Sequence, residues 1–476
     1  MVWGAVAHLG QFQLSIVLAA IHPPRSPALA KTFLLHSMLD ITFIGTSFVA
    51  VALFIWYLRT EYFTVIGPVF WYFIFHLLVF VLRPIGVIYF GFDNIWTYMR
   101  RVPTDLELAQ TLLVATTGLC VFVATALASG GNIKWEFRAD QAVGRGVWRT
   151  FIVLSVLVAP FCLYSLYINL TGQVSGVRDV ETGIYIMTNS TGYIVDAQVM
   201  LLPMAIVFLV LRRFKPFGFV PLAIYLSYVV IFVRARWQLI VGLLASYLLY
   251  CALVKRRVLL WPVLVAGPML LLAFWLKGLD RTVFQEMVVL GDTSTVKNIG
   301  QQMTLKEKLD TQDFANFDYL SFVIAVVPAE THTYTYFTQW LQLFTEPIPR
   351  ILWKNKPIGA PIQFFELMDY GNFIGLTVSI IGDGWMSLGW AGVVITMGAA
   401  GFFLGRIHRQ ACAKSYDPLI TIMYCILTAV WFQFYRDGGI SIFKFGLFAV
   451  GPVLVLQRIH RSAHEYVFAP TQRIGG

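Results

Sequence analysis

Charged side chains are scarce in this chain: they make up 13% of its 476 residues, whereas hydrophobic residues make up 58%. In a water-soluble globular protein roughly a quarter of the residues are charged, so this composition excludes a soluble enzyme or binding protein. Mean hydropathy is +0.72, and the apolar residues come in runs long enough to cross a bilayer. The composition therefore predicts a membrane protein.

Cysteine is also scarce. The five cysteines stand singly in or beside apolar runs, so neither a disulfide framework nor a thiolate metal or redox site is indicated. The predicted external segments have no Asp-x-Asp pair and no histidine cluster with ligand spacing, and we expect neither a metal nor another cofactor. Nucleic acid is not an expected partner, because the net charge of +10 comes from short basic clusters between apolar runs.

About eleven apolar runs are long enough for transmembrane helices, since a span needs about 20 mainly apolar residues with internally bonded backbone. They are predicted near residues 38–58, 63–90, 108–129, 149–170, 193–211, 216–233, 237–254, 258–276, 387–405, 418–434 and 440–457. A weaker twelfth run, residues 3–21, is interrupted by His8, Gln11 and Gln13. We expect it to span the membrane or to form an interfacial or re-entrant helix, and we expect no cleavable signal peptide.

Basic residues in alternate loops predict the orientation of the spans, because positive loops face the cytoplasm. The clearest clusters are Arg212 with Arg213, Lys255 with Arg256 and Arg257, and Arg458 with Arg461. Arg100 and Arg101 fall on the opposite face and are outnumbered. The chain then divides into an N-terminal bundle (1–276), a large external loop (277–386) and C-terminal helices (387–476). A connection of this length is usually functional, and we expect an ordered cap of short helices.

Two sets of arginines are candidate binding residues because a charge in or beside a span is costly. Arg83 stands before Pro84 inside a span, where it either binds an anionic substrate or caps the kink that the proline causes. Arg234 and Arg236 stand at an external turn. They either bind phosphate oxygens bidentately or extend to lipid headgroups.

Two further groups lie on the external side. Arg436 stands beside Asp437 in the hairpin between the last two spans, either as part of a site or as a local ion pair. Arg350, Lys354 and Lys356 lie in a proline-rich loop segment, where contact with headgroups is the alternative. Convergence of these cations on one face predicts a pyrophosphate ligand. The external candidates for a general base are Glu330, His332, Asp383 and Asp437, and the sequence does not rank them.

In these residues the chain resembles the Wzy-type oligosaccharide repeat-unit polymerases of O-antigen and exopolysaccharide assembly. Ile348-Pro-Arg-Ile-Leu-Trp-Lys-Asn-Lys-Pro357 is similar to the family's Ile-Pro-Arg-x-Leu-Trp-Pro-x-Lys-Pro element, with Lys354 in place of a proline. Gly382-Asp-Gly-Trp-Met-Ser-Leu-Gly-Trp-Ala-Gly392 is similar to Gly-Glu-x-Tyr-x-Asn-x-Gly-x-x-Gly. In the second element Asp383, Trp385 and Ser387 replace Glu, Tyr and Asn. The external Arg-x-Arg at 234–236 also agrees in place.

The resemblance implies an all-α, GT-C-like polytopic glycosyltransferase of the bacterial inner membrane, with its active site on the periplasmic side and no metal requirement. Its substrate would be an undecaprenyl-pyrophosphate-linked oligosaccharide, and its further partners membrane lipids, a chain-length regulator and a flippase. The pyrophosphate and glycan would be bound by the cations identified above, Arg83, Arg234, Arg236, Arg350, Lys356 and Arg436.

Two other functions fit much of the same pattern. An O-antigen ligase or another lipid-linked glycan transferase needs the same chemistry, and the Pro-Arg-x-Leu-Trp element favours a polymerase over these. A flippase or secondary transporter would also place arginines in its spans. It would, however, concentrate charge or broken helices near the midplane in corresponding halves. Here most of the candidate charge gathers at one face beside a large loop.

Overall fold

The computed structural model describes most of the membrane-spanning sequence and part of the large loop. The described residues are 27–93, 101–136, 145–171, 192–233, 237–255, 315–345 and 379–468, with shorter pieces at 96, 176–178, 185–187, 287–288, 291, 304, 306, 309–310, 347–348 and 352–353. In this part of the chain seven helices are long and apolar enough to cross a membrane. They confirm the prediction of a helical, multi-pass membrane protein.

Most of the described helices overlap the predicted runs, and several extend beyond them. They are α1 (Pro27–Leu58), α2 (Pro68–Leu77), α3 (Arg83–Phe90), α4 (Asp105–Ala126), α5 (Arg145–Leu170), α6 (Leu201–Leu211), α7 (Val220–Ile231), α8 (Trp237–Tyr250), α9 (Asn316–Val326), α10 (Gln342–Thr345), α11 (Ser379–Ala413), α12 (Pro418–Asp437) and α13 (Gly439–Phe468). A small antiparallel pair, β1 (Gly176–Arg178) and β2 (Tyr185–Met187), lies between α5 and α6. The predicted runs 3–21 and 258–276 lie outside the described residues.

Local chemistry defines several helix ends. Thr104 and Glu107 form a capping box at the start of α4, so two of its free N–H groups are satisfied. Asp417 accepts hydrogen bonds from Leu419 N and Ile420 N at the start of α12, with Pro418 in the first turn. A π-helical segment, Leu78–Leu82, joins α2 to α3 in a single span and ends just before Arg83.

Small residues bring α4 and α11 into close contact. A side chain at Gly401 would lie 2.5 Å from the Phe122 carbonyl oxygen, and one at Gly405 would overlap Ala126. Ser129 Oγ also donates to the Gly401 carbonyl at 3.4 Å. Membrane helices have little hydrophobic gain from packing together, so close backbone approach of this kind supplies much of their attraction.

The helix that follows the large loop begins at Ser379, earlier than the predicted 387, and is broken near its start. Leu388 and Gly389 leave helical geometry, and Gly389 takes φ +58°, which favours glycine. In a straight helix Gly384 and Gly392 would be about 12 Å apart along the axis. Here their backbones touch. Residues 379–387, which we call the half-helix, therefore fold back against the rest of α11.

Replacing Gly392 with alanine should destabilise the protein by about 1–3 kcal/mol, because the new Cβ would overlap the Gly384 carbonyl oxygen. Thermal unfolding of the purified protein measures the effect. Gly398→Ala on the same helix is the matched control, since its Cβ would lie 3.6 Å from Val121 Cγ1, an ordinary contact. Equal unfolding temperatures for the two variants would contradict the close approach.

Candidate functional site

The centre of the candidate site is α9, a helix of the large loop that is buried along its whole length. Its N-terminal residue Asn316 donates from Nδ2 to the Arg436 carbonyl oxygen at 2.9 Å. At its C-terminal end the Val327 carbonyl accepts from Trp385 Nε1 at 2.9 Å. Helix α9 therefore connects the start of α11 to the end of α12.

Arg83 joins this loop helix to the membrane bundle. Its Nε and Nη2 donate to the two carboxylate oxygens of Asp318, each at 2.9 Å, and Nη2 also donates to Asp310 Oδ1 at 2.5 Å. The Asp93 backbone N–H donates to the other Asp310 oxygen at 3.0 Å. The Arg83 side chain is only 4% exposed. In this structure the arginine contacts aspartates of the loop, and its contact with substrate stays a prediction.

Burying the charged groups of this cluster costs free energy. Burial raises the pKa of Asp318 above its ordinary value, although the bidentate ion pair with Arg83 opposes that shift. A buried charge pair of this kind adds little net stability, but removing one partner leaves the other uncompensated. The Arg83–Asp318 pair is therefore best understood as a device that seats α9 in one position.

Asp383 and the turn at 435–439 form the polar part of the site. Asp383 lies in the half-helix, is 6% exposed, and accepts from the Gly439 N–H through Oδ2 at 2.8 Å. Gly438 has φ +83°, and a Cβ there would lie 2.5 Å from the same oxygen. The carboxylate thus holds the Gly-Gly turn through a contact that requires glycine.

Arg436 and Asp437 stand on this turn at the end of α12. Their side chains are 16% and 11% exposed, and Arg436 Nε lies 3.8 Å from Asp437 Oδ1. Gln433, one helical turn earlier, donates from Nε2 to Asp437 Oδ2. An arginine and a carboxylate are therefore held side by side at the edge of the buried cluster.

A polar network supports Asp383 from the loop side. Ser387 Oγ donates to the Asp383 carbonyl at 2.6 Å, and Gln339 Nε2 donates to Ser387 Oγ at 2.8 Å. The Thr335 backbone N–H donates to the Met386 carbonyl at 2.8 Å and satisfies the end of the half-helix. Burial, and secondarily the charge of Asp383, raises the pKa of Tyr319 to about 12. The Tyr319 phenol therefore stays protonated at neutral pH.

An apolar groove adjoins the turn. It has a volume of about 600 Å³ and runs between α11, α12 and α13. Phe337, Trp340 and Phe443 line its upper end, and a side chain at Gly439 would overlap the Trp340 indole. From Ile395 to Ile407 the groove follows α11 for about 18 Å, over half the thickness of a hydrocarbon core. A long apolar chain in this groove would end beside Asp383 and Arg436.

The other two base candidates lie in the loop that follows α9. Glu330 forms an ion pair with Arg101, which also contacts Glu107 Oε1 at 3.0 Å. His332 is exposed and takes φ +52°. These two ion pairs give Arg101 a role in the fold that does not depend on the membrane orientation.

The structure brings together three of the predicted site residues, Asp383, Arg436 and Asp437, and connects Arg83 to them through α9. Four others, Arg234, Arg236, Arg350 and Lys356, lie outside the described residues and stay predictions. Sequence reasoning missed Asn316, Asp318 and Tyr319. Asp318 carried a usable signal, because a carboxylate in the apolar run 317–327 needs a buried cation.

Comparison of the chain with protein-family models, with curated proteins and with solved structures finds no match.

Proposed function

We propose that this protein is a glycosyltransferase that joins undecaprenyl-pyrophosphate-linked oligosaccharide repeat units on the external face of the bacterial inner membrane. The observation that carries the proposal is the position of the Arg436–Asp437 turn at the upper end of the apolar groove. A lipid-linked oligosaccharide needs these two environments next to each other, since its isoprenoid chain is apolar and its pyrophosphate is anionic. The motif resemblance at 348–357 and 382–392 selects the polymerase among such enzymes.

The proposed reaction forms one glycosidic bond and breaks one bond between sugar and phosphate. A hydroxyl of the incoming repeat unit attacks the anomeric carbon of the growing glycan, and polyprenyl pyrophosphate leaves with the electron pair. Asp437 takes the hydroxyl proton as general base. The Arg436 guanidinium stabilises the charge that develops on the pyrophosphate. Asp383 acts as a positioning residue, because its Oδ2 is bonded to the backbone of the turn.

Further cations are proposed to bind the pyrophosphate. Trp237, which follows Arg236 in the chain, lies 4.7 Å from Phe445 between ring centroids. Helix α8 therefore begins at the end of the bundle where the turn lies. This supports the proposed roles of Arg234 and Arg236 in binding the leaving group. Arg350 and Lys356 are proposed to bind pyrophosphate or glycan from the loop.

A gene deletion in the host tests the proposal, with complementation by wild type or by Arg436→Ala at matched protein level. Surface polysaccharide is displayed as a ladder on a gel. We expect the deletion to leave a single repeat unit on the lipid anchor, restored to a full ladder by the wild type and not by the variant. Loss of even the single repeat would indicate a ligase or a flippase. An unchanged ladder in the deletion strain would refute the assignment.

A bulky residue in the groove should block the carrier chain. Ala399→Trp places an indole among the groove-lining residues, and we expect at least about tenfold less polymer at equal protein level. Val394→Trp is the matched control, because Val394 lies on the same helix, is 44% exposed and does not line the groove. Equal ladders from both variants would show that the groove does not hold the carrier.

A further inference from the structure

A second cavity lies at the opposite end of the bundle from the Arg436–Asp437 turn, between α7, α8 and the turn that follows α6. It has a volume of about 470 Å³, and its lining is almost wholly apolar. The lining includes Phe214, Phe219, Leu222, Ala223, Ser246 and Tyr250. Ala223 is exposed, so the cavity opens on the outer surface of the bundle. From Leu243 to Tyr250 the cavity follows α8 for about 10 Å.

The rim of this cavity is cationic. Four exposed basic residues, Arg212, Arg213, Lys215 and Lys255, stand at the adjoining helix ends. Arg212 Cζ lies 5.1 Å from the Phe217 ring centroid, and Lys255 Nζ lies 5.9 Å from that of Tyr250. Among the described residues no carboxylate forms an ion pair with any of these four. In the described part of the chain, the rim therefore carries positive charge that no acidic side chain neutralises.

A strained turn joins the rim to the cavity wall. Arg213 and Phe214 have φ +53° and +54°, in the left-handed region that residues with a side chain rarely adopt. The Phe214 N–H donates to the Leu209 carbonyl at 3.1 Å and closes the turn. Its ring then packs 5.6 Å from Tyr250 and 6.5 Å from Phe219 between centroids. The turn thus places a wall of the cavity directly beside the basic residues.

From these observations we propose that the cavity binds an anionic phospholipid, with an acyl chain between α7 and α8 and the phosphate among the four cations. Guanidinium groups match phosphate oxygens, and basic pockets between helices on the cytoplasmic side suit anionic headgroups. The positive-inside rule assigns this end to the cytoplasm, where the leaflet surface is negative. Ser246 Oγ is buried without a hydrogen-bond partner among the described residues and offers a donor to a lipid ester. The site does not depend on the proposed function.

Lipid retention tests the charge of the rim. Purified protein is reconstituted in nanodiscs with equal phosphatidylglycerol and phosphatidylcholine, exchanged into detergent, and its bound lipid measured by native mass spectrometry. We expect wild type to retain phosphatidylglycerol preferentially. Arg212→Gln with Lys255→Gln should lower that preference about thirtyfold, since each cation near an anionic surface contributes about fivefold. Arg59→Gln with Lys414→Gln removes the same charge from two other exposed positions, and its preference should match wild type.

A cavity variant tests the acyl chain separately. Ala223→Trp should abolish retention of both lipids, whereas Ile224→Trp should not, because Ile224 is the next residue of α7 and does not line the cavity. Each variant is first checked by gel filtration and thermal unfolding. Equal retention of the two lipids by wild type would overturn the proposal. So would full retention by a folded Ala223→Trp variant, or an equal loss of preference in the Arg59/Lys414 control.

Discussion

Replacing Arg83 with methionine will destabilise the protein by about 3–5 kcal/mol, because the carboxylate of Asp318 then stays buried without its cation. Methionine fills much of the same space as arginine, so the loss of stability arises mainly from the unpaired charge and less from a cavity. Thermal or denaturant unfolding of the purified protein in one detergent measures it. We also expect α9 to become accessible to protease, since this pair holds the loop helix in the bundle.

The destabilisation should depend on pH in a defined direction. Burial already raises the pKa of Asp318 with Arg83 present, and removal of the arginine raises it further. An acid whose pKa is higher in the folded than in the unfolded state destabilises the folded state at pH values above its unfolded pKa, which is near 4 for aspartate. This penalty disappears as the pH falls and the acid becomes protonated. The difference in free energy of unfolding between Arg83→Met and wild type should therefore become smaller as the pH falls from about 8 toward about 5.

Arg101→Met is the control for the loss of a cation. Arg101 contacts two glutamates, but its side chain is 27% exposed, so its loss should cost no more than about 1 kcal/mol. Asp318→Leu combined with Arg83→Met should be more stable than Arg83→Met alone, because the buried Asp318 carboxylate is then removed together with its cation. If the single Arg83 variant proved as stable as the Arg101 variant, the buried cluster would not hold the loop.

Sequence reasoning could predict the membrane spans because hydropathy over about 20 residues follows directly from the bilayer. It also identified Arg83, since a charge inside a span is costly. It could not identify the partner of Arg83, because Asp318 is 235 residues away in the chain and no spacing rule joins them. The burial of α9 therefore depends on the Arg83–Asp318 contact, which the sequence alone does not reveal.

For the candidate site, too, the sequence predicted the segments involved but not the contacts between them. The segments containing Asp383 and Gly439 were both identified, and the structure joins them through one hydrogen bond. The break at Leu388–Gly389 was not predictable, because a glycine near a helix start is common and hydropathy does not report its φ angle. That break folds the half-helix back and places Asp383 in the site, so the decisive geometry depends on one backbone conformation.

The proposed base, Asp437, and the proposed positioning residue, Asp383, can be distinguished by replacing each carboxylate with its amide. Asp437→Asn will lower the transfer rate by about 10²–10⁴-fold, because an amide accepts no proton from the acceptor hydroxyl. Asp383→Asn keeps an oxygen that can accept from the Gly439 N–H, so we expect at most about a tenfold loss. The rate is measured with the purified protein and a lipid-linked oligosaccharide, and the polysaccharide ladder provides a second readout.

Asp383→Ala is the companion variant, because it removes the acceptor for Gly439 altogether and frees the turn that carries Arg436 and Asp437. Its rate should fall well below that of Asp383→Asn, while the pH profile of the residual activity should keep its shape. If a residue is the general base, by contrast, its replacement by Asn or by Ala lowers the rate equally. Either replacement also removes the limb of the pH profile that reports the base. Equal losses of rate in Asp383→Asn and Asp383→Ala, with near-normal turnover by Asp437→Asn, would mean that Asp383 is the base and Asp437 the positioning residue. The half-helix would then supply the base, and the Gly-Gly turn would hold it in place.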